Sequence, residues 1–196
     1  MKFYHSPGSC SQGVHIALHE AQLPFDPIKV DLKTHSTEGE GAFTAINAKA
    51  YVPALVMDDG QVLTENVAIM SWIAEAAPQL GASGTMGRIR LIEMLAFITS
   101  EMHKPFIQLF FPASDAGNKS IRDGLTRRFQ FVADRLCSNY LLGDSFTVAD
   151  AYFFVMLRWA NMLKLELPAQ LTSLAKRIAS RPAAQKALRA EGFACG

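Results

Sequence analysis

One cysteine near the N-terminus has the surroundings of a reactive thiol. Cys10 follows the strand-like run Lys2–His5 and a short loop, and a helical period begins near Ser11. Free N–H groups at a helix N-terminus stabilise an anion, so this position is expected to lower the thiol pKa and favour the thiolate. Position 13 is Gly13, so the second cysteine of a redox dithiol is missing and an external thiol is the natural partner. The alternative is an inert, packed cysteine.

The other cysteines, Cys137 and Cys195, carry no such signal, and we interpret both as structural. Three widely spaced cysteines argue against a disulfide framework and indicate a reducing compartment.

Two further segments have the residue types of a peptide-binding groove. Val52 and Pro53 precede a strand-like run, and a cis bond there would turn the backbone of Val52 outward to pair with an extended peptide. The alternative is a trans proline at an edge strand.

Glu65 and Asn66 open a helix, where free N–H groups can hold a ligand carboxylate and Glu65 can pair with an ammonium group. The alternative is simple capping.

Two histidines have the spacing of a metal pair. His15 and His19 lie four residues apart on one helix face, but no glutamate follows His15 and no third ligand is evident. We therefore interpret both as solvated helix residues and predict no metal site.

His103 is more informative, because it shares a face with small and polar side chains: Ala96, Thr99 and Ser100. A weakly apolar face indicates a cleft. The segment Met102–Phe111 is rich in Met and Phe and would supply a soft apolar wall to that cleft. Asp150 lies three residues after Thr147, and this capping-box pattern indicates a structural role.

The elements that position these residues change in type along the chain. Up to about residue 77 the order is β-α-β-α-β-β-α, including a hairpin at Asp58-Asp59-Gly60, and later only helical periods occur. The fold class is therefore α/β plus all-α, with an N-terminal thioredoxin-like domain and a C-terminal all-helical domain. We place the first domain at residues 1–78, a linker at 79–86 and the helical domain at 87–196. The first long helix is expected to bend at Pro105, and residues 33–41 to form a loop leading into a short helix.

Composition excludes several classes of protein. Of 196 residues, 49% are hydrophobic and 19% are charged, which is typical of a globular protein and not of a disordered one. The net charge of +1 argues against nucleic-acid binding. The longest strongly apolar stretch, Ala151–Leu157, is too short to span a membrane, and no signal peptide is visible. We expect a cytoplasmic protein.

Five segments together resemble the bacterial beta-class glutathione transferases: KFYHSPGSC, YVPALVMDDG, LTENVAIMSWIAE, SEMHKPF and GDSFTVADAYFF. Their order and spacing carry the resemblance over the whole chain. It implies a detoxification enzyme that joins the thiol of glutathione to a hydrophobic electrophile. Glutathione is then a co-substrate, no other cofactor is needed, and the partner is a second copy in a homodimer.

The resemblance also implies roles for individual residues. Cys10 would face the glutathione sulfur and could form a mixed disulfide with it, near His103 and Lys104. Val52, before a cis Pro53, would pair with the tripeptide backbone. The remaining glutathione contacts implied are Glu65 and Asn66, at the γ-glutamyl end, and Ser100, which would reach the glutathione of the neighbouring subunit. Asn66 stands where the family usually has a small residue.

Departures from the family pattern bear on glutathione affinity. The family commonly has asparagine at the position of Ala96 and lysine at that of His35, near the glycyl carboxylate. Ala48 and Ala50 replace a proline and a glycine. A lost charge-assisted hydrogen bond costs about 1.5–3 kcal/mol. Two other hypotheses therefore stand beside conjugation: thiol–disulfide or dehalogenase chemistry through a Cys10–glutathione disulfide, and a non-catalytic binding protein that kept the fold.

Overall fold

Short alternating runs in the first third of the chain build a mixed sheet. The computed structural model describes residues 1–39, 41–111 and 115–194, without the side chains of residues 115 and 116, so Cys195 lies outside it. The six strands are β1 (Lys2–His5), β2 (Asp26–Asp31), β3 (Ser36–Thr37), β4 (Gly41–Ala42), β5 (Ala54–Val56) and β6 (Val62–Thr64), in the order β4-β3-β2-β1-β5-β6.

The direction of the strands confirms the thioredoxin-like pattern. Strands β1 and β2 are parallel, whereas β5 runs antiparallel to β1 and to β6. Helix α1 (Ser11–Glu20) connects the parallel pair, and helix α2 (Asn66–Ala76) follows the hairpin β5–β6. Gly60 has φ +86° in the predicted hairpin turn, a backbone conformation that favours glycine.

The segment after β2 differs from the expectation. The predicted loop and short helix are instead two short strands followed by a 3₁₀ turn at Phe43–Ala45. Positive φ at His35, Gly39 and Gly41 interrupts any helical run there. Phe43 is fully buried and packs against Tyr4, which anchors the turn beneath the sheet.

Helix α1 is enclosed on all sides, because it lies between the sheet and the helical part of the chain. Its buried residues run without a break from Ser11 to Leu18. A Cβ atom on Gly13 would lie 3.0 Å from the Cα of Tyr152 and 3.2 Å from the carbonyl oxygen of Ala151. The missing side chain of Gly13 therefore allows close contact between α1 and the helix that carries Tyr152.

From residue 87 onward the described chain is mainly helical. The helices are α3 (Gly87–Phe97), α4 (Lys104–Phe110), α5 (Asp115–Ala133), α6 (Val148–Met162), α7 (Ala169–Ala179) and α8 (Pro182–Ala190). A π-helical segment, Ile98–His103, joins α3 to α4 where the sequence indicated a bend at Pro105. Proline clashes with the carbonyl four residues earlier in an α-helix, and the wider turn just before it relieves this contact.

Helix α6 lies at the centre of the helical part, and its N-terminus is capped as predicted. The Asp150 carboxylate accepts hydrogen bonds from the Thr147 N–H (2.8 Å), the Thr147 hydroxyl (2.8 Å) and the Leu141 N–H (2.9 Å). Asp150 is fully buried, and burial raises its pKa to about 6 while these hydrogen bonds act to lower it. This geometry agrees with a structural role.

One hydrophobic core joins the sheet side to the helical side, since Val14 and Ile16 belong to the same cluster as Phe153 and Leu188. At the edge of this contact, Arg181 before α8 makes two hydrogen bonds to the carboxylate of Glu20 on α1, at 2.5 and 2.7 Å. Within the described residues, no helix combines the length and hydropathy needed to cross a membrane.

Candidate active site

The loop before α1 is held by two distant parts of the chain. The Gly8 N–H donates a hydrogen bond to Oε2 of Glu191 (2.9 Å), and the Gly8 carbonyl accepts one from Nε1 of Trp159 (2.9 Å). Within the loop, the Ser11 hydroxyl accepts from the Ser6 N–H at 3.1 Å. The loop therefore presents Cys10 in a fixed position at the start of α1.

Cys10 lies at the bottom of a groove, but its sulfur is poorly hydrated. The residue is 8% exposed, and its Sγ lies 3.5 Å from the Val52 carbonyl oxygen, to which the thiol donates. Loss of hydration raises the pKa of Cys10 to about 11, although Asn66 and the N–H groups of Cys10 and Ser11 favour the thiolate. The prediction of a lowered thiol pKa is therefore wrong for the free protein, because burial outweighs the helix N-terminus.

The groove brings together the segments that the sequence singled out. Val52, Pro53, Glu65 and Asn66 line it with Cys10, and the pocket has a volume of about 70 Å³. The Val52–Pro53 peptide bond is cis, as the resemblance implied. The groove therefore combines the backbone before a cis proline, a carboxylate and a helix N-terminus, which are groups suited to bind an extended peptide.

Glu65 has an unusual backbone and two partners that sequence reasoning missed. Its φ is +73°, and strained conformations of this kind at a non-glycine residue cost about 1–3 kcal/mol and cluster at functional sites. The Glu65 carboxylate accepts hydrogen bonds from Lys49 and from the Tyr51 hydroxyl (2.7 Å). The hydrogen bond from Lys49 is the main reason why the pKa of Glu65 is lowered, so Glu65 is a carboxylate at neutral pH.

Asn66 is buried at the first turn of α2 and has one unused polar atom. Its side chain interacts with the sulfur of Cys10 and the hydroxyl of Tyr152. Its Oδ1 has no hydrogen-bond partner within the described part of the chain. A buried acceptor without a partner is costly, and a ligand N–H group in the groove would satisfy it.

His103 lines the groove together with Cys10, which agrees with the cleft predicted from its helix face. Its Nδ1 lies 2.7 Å from the hydroxyl of Tyr152, and its ring packs against Trp159. Burial lowers the pKa of His103 to about 4, so the ring is neutral near pH 7. Burial also raises the pKa of Tyr152. A neutral Tyr152 hydroxyl can donate to Nδ1 of the neutral ring, and in that tautomer the His103 proton lies on Nε2.

A larger apolar cavity opens beside the groove. Its volume is about 650 Å³, and Cys10 and His103 line both spaces. The apolar wall consists mainly of Leu32, Ile107, Phe110, Phe111, Trp159 and Met162, with Lys104 at the side. The predicted wall at Met102–Phe111 is thus contributed by only part of that segment, because Met102 and Phe106 are fully buried in the core.

Three predicted glutathione contacts do not line the groove: Lys104 lines only the apolar cavity, and Ser100 and His35 line neither space. Ser100 is exposed and is not among the lining residues, whereas Thr99 and His103, one and three positions away, are. His35 lies in the turn between β2 and β3 with φ +53°, and its Nδ1 is buried without a partner in the described residues. The roles of Ser100 and His35 stay predictions.

The prediction of a solvated histidine pair on α1 is wrong. His15 is 1% exposed and its Nδ1 lies 2.8 Å from Oε1 of Glu191, while His19 is partly buried against His15 and Phe25. The cause is that α1 lies beneath the end of α8, which covers the face assumed to be open.

Sequence reasoning missed three aromatic residues of the site: Tyr51, Tyr152 and Trp159. A weak signal was available for two of them. Tyr152 and Trp159 lie on the predominantly apolar helix α6, and a buried hydroxyl or indole N–H requires a hydrogen-bond partner.

Comparison with known proteins gives a consistent result over the chain. Residues 7–76 match the family profile described as "Glutathione S-transferase, N-terminal domain", and residues 98–182 match "Glutathione S-transferase, C-terminal domain". The chain is 39% identical to the glutathione S-transferase GstA of Escherichia coli O157:H7, over 98% of this chain and 100% of the relative.

Solved structures agree with these matches. The structure of a sphingomonad glutathione S-transferase complexed with glutathione superposes with a TM-score of 0.93 at 40% identity, covering 99% of this chain and 100% of the other. The bacterial beta class glutathione S-transferase of Sphingomonas chungbukensis gives a TM-score of 0.90 at 39% identity, with the same coverage.

Proposed function

The chain belongs to the glutathione S-transferase family and is a glutathione transferase, and we propose that its two adjoining spaces divide the reaction between them. The small groove holds glutathione, and the apolar cavity holds a hydrophobic electrophile. The observation that carries this proposal is that Cys10 and His103 line both spaces. A sulfur bound in the groove next to these residues would face the second substrate directly.

The groove supplies complementary groups for a γ-glutamyl tripeptide. The Glu65 carboxylate fits an ammonium group, and the unpaired Oδ1 of Asn66 fits a ligand N–H. The backbone of Val52 can pair with the central residue of the ligand. Because Lys49 and Tyr51 already bind Glu65, the ligand ammonium joins an existing network.

The chemical step requires the glutathione thiol to release its proton to solvent water before the sulfur attacks. With its proton on Nε2, His103 would donate a hydrogen bond to the developing thiolate, and Tyr152 would hold that tautomer through Nδ1. The thiolate then forms a carbon–sulfur bond with the electrophile, which either loses a leaving group or takes up a proton. Cys10 would contribute as a neutral thiol donor at neutral pH, because its own pKa is raised to about 11.

The test is the conjugation of glutathione to an aryl halide activated by nitro groups, with the absorbance of the conjugate as the measure of the rate. We expect His103→Ala to lower kcat about 10²-fold, the scale for removing one oriented donor. Tyr152→Phe should lower kcat less, because it removes only the group that holds the tautomer. His19→Ala, on the sheet side of α1, is the control. The proposal is wrong if the wild-type chain binds glutathione but conjugates no electrophile.

We further propose that the chain is a beta-class enzyme that acts in detoxification as a cytoplasmic homodimer. The similarity to the beta class enzyme of Sphingomonas chungbukensis supports the class. Ser100 is exposed on the side of its helix turned away from the cavity, so it is available for contact with a second copy. In a dimer, that side can reach the glutathione of the partner. Sedimentation velocity should therefore give twice the chain mass, and Ser100→Ala should raise KM for glutathione without changing that mass. A monomer of full activity would contradict this assignment.

A further inference from the structure

A second group of ionisable side chains lies on the other side of α1 from the apolar cavity. His5 ends β1, His15 lies on α1, and Glu191 follows α8, so three separate elements meet there. All three side chains are buried, with at most 7% of any of them exposed. Nothing in the conjugation reaction uses them as a group.

The geometry of this cluster brings two ring nitrogens to one carboxylate oxygen. Oε1 of Glu191 lies 2.8 Å from Nδ1 of His15 and 3.7 Å from Nδ1 of His5. One donor atom from each residue lies within 4.8 Å of the other two. The other oxygen, Oε2, accepts from the Gly8 N–H (2.9 Å) and from Nε2 of Gln12 (2.8 Å), which orient the carboxylate.

His5 is the unexplained member of the cluster. Its Nδ1 is buried, points towards Glu191, and has no hydrogen-bond partner within the described residues. A buried ring nitrogen without a partner costs folding free energy, and a bound ligand that pairs with the nitrogen removes this cost.

We propose that His5, His15 and Glu191 form a binding site for one divalent transition-metal ion of the zinc, cobalt or nickel type. Two imidazoles and one carboxylate are a donor set that such ions prefer. Ligand atoms about 2.1 Å from a tetrahedral ion lie about 3.4 Å apart. The distances from Oε1 of Glu191 to Nδ1 of His15 and of His5, 2.8 and 3.7 Å, lie on either side of this value.

The surroundings support such a site. Phe3 stacks on the His5 ring and Phe25 packs against the His15 ring, so both imidazoles are held in place. A cavity of about 360 Å³, lined by the three residues together with Lys29 and Glu38, gives access for the ion and for a water ligand. Lys29 is exposed, so solvent screens its repulsion of a cation.

The test is titration of the full chain, without a polyhistidine tag and stripped of metal, with Co²⁺. We expect visible d–d absorption that saturates at one ion per chain, and one zinc per chain by mass spectrometry. His5→Phe should weaken binding at least about 100-fold, because loss of an outer-shell partner alone costs 10–100-fold. His19→Phe is the matched control and should bind like the wild type.

Each of three results would contradict the metal site. The first is that Co²⁺ gives no saturable absorption, and the second is that His5→Phe and the wild type bind Co²⁺ with equal affinity. The third is a thiolate charge-transfer band, which would place the ion at a cysteine. Glu191→Gln is the second variant, since its amide keeps an oxygen for Gly8 and removes the charge. It should also lose the ion; if His5→Phe fails to fold, Glu191→Gln decides the question.

Discussion

Loss of hydration decides the ionisation of Cys10, and this has a direct consequence for its reactivity. The pKa of Cys10 is raised to about 11, so only a small fraction is thiolate at neutral pH. We predict that alkylation of Cys10 by iodoacetamide is slow at pH 7 and becomes faster about tenfold per pH unit up to about pH 11. Peptide mass spectrometry separates Cys10 from the exposed Cys137.

The control for this measurement is Cys10→Ser, which should leave only the reaction of the other cysteines. A rate constant for Cys10 that levels off near pH 7 would mean that the thiolate is already formed in the free protein. Such a result would agree with the lowered pKa of Cys10 that is expected from its position at a helix N-terminus alone.

Asn66 stands at a position where, by the resemblance to the beta-class family, a small side chain is usual. Its amide acts to lower the pKa of Cys10, and its Oδ1 is unpaired. We predict that Asn66→Ala raises KM for glutathione roughly ten- to hundredfold, the equivalent of one lost hydrogen bond to a charged group. Asn161→Ala, exposed on α6, is the control. A change below about twofold would show that Asn66 makes no contact with glutathione.

At the scale of elements, the contact between α1 and α6 depends on one missing side chain. Gly13→Ala would place a Cβ 3.0 Å from the Cα of Tyr152, and overpacking of this kind costs about 1–3 kcal/mol. We predict a lower free energy of unfolding in urea, and lower activity because Tyr152 moves.

Gly124→Ala on α5 is the matched control, because its Cβ would meet only the flexible end of Arg128. There the better helix propensity of alanine should stabilise the chain by up to about 1 kcal/mol. Equal effects of the two substitutions would exclude a packing role for Gly13.

The cap of α6 gives a second prediction at this scale. Asp150→Ala leaves the buried N–H groups of Thr147 and Leu141 without an acceptor, and each costs about 1–3 kcal/mol. We therefore expect the free energy of unfolding to fall by about 2–4 kcal/mol. Asp123→Ala, which breaks an exposed pair with Lys119, should leave the urea midpoint nearly unchanged. An equally small effect of Asp150→Ala would contradict the cap.

These elements also show what the sequence could reveal. Periodicity and turn residues were sufficient to predict β1, α1, the hairpin and α6, because these signals depend only on residues close together in the sequence. The burial of the Cys10 sulfur and the partner of His15 were not accessible, because each depends on contacts between distant segments. His15 meets Glu191, which lies 176 residues away in the chain. Likewise, the motif segments predicted that Val52, Glu65 and His103 share one groove, whereas the position of Trp159 in the wall of the apolar cavity depends on tertiary packing.

At the scale of the whole molecule, histidine burial predicts sensitivity to acid. His5, His19 and His103 each have a pKa lowered from 6.5 to about 4, mainly by burial. The unfolded chain therefore takes up protons at higher pH than the folded chain does. The stability due to these groups is present above about pH 6.5 and is lost as the pH falls towards 4. Asp150, with its pKa raised to about 6, acts in the opposite direction, but it is one group against three.

Urea unfolding at pH 7.5 and at pH 4.5 tests this expectation, with a lower free energy of unfolding at pH 4.5. His103→Phe should reduce the difference between the two values. A free energy of unfolding that is equal or higher at pH 4.5 would mean that other groups dominate the acid range.

The hydrogen bond between Gly8 and Glu191 spans 183 residues, and this separation has a consequence for the newly made chain. A ribosome adds about 5–20 residues per second, so about 10–40 s pass between synthesis of the two partners. During that time the loop before α1 lacks this hydrogen bond, and the sulfur of Cys10 is not yet held in its buried position. The finished enzyme shields this atom, so the nascent polypeptide is the stage at which oxidative damage to it is easiest.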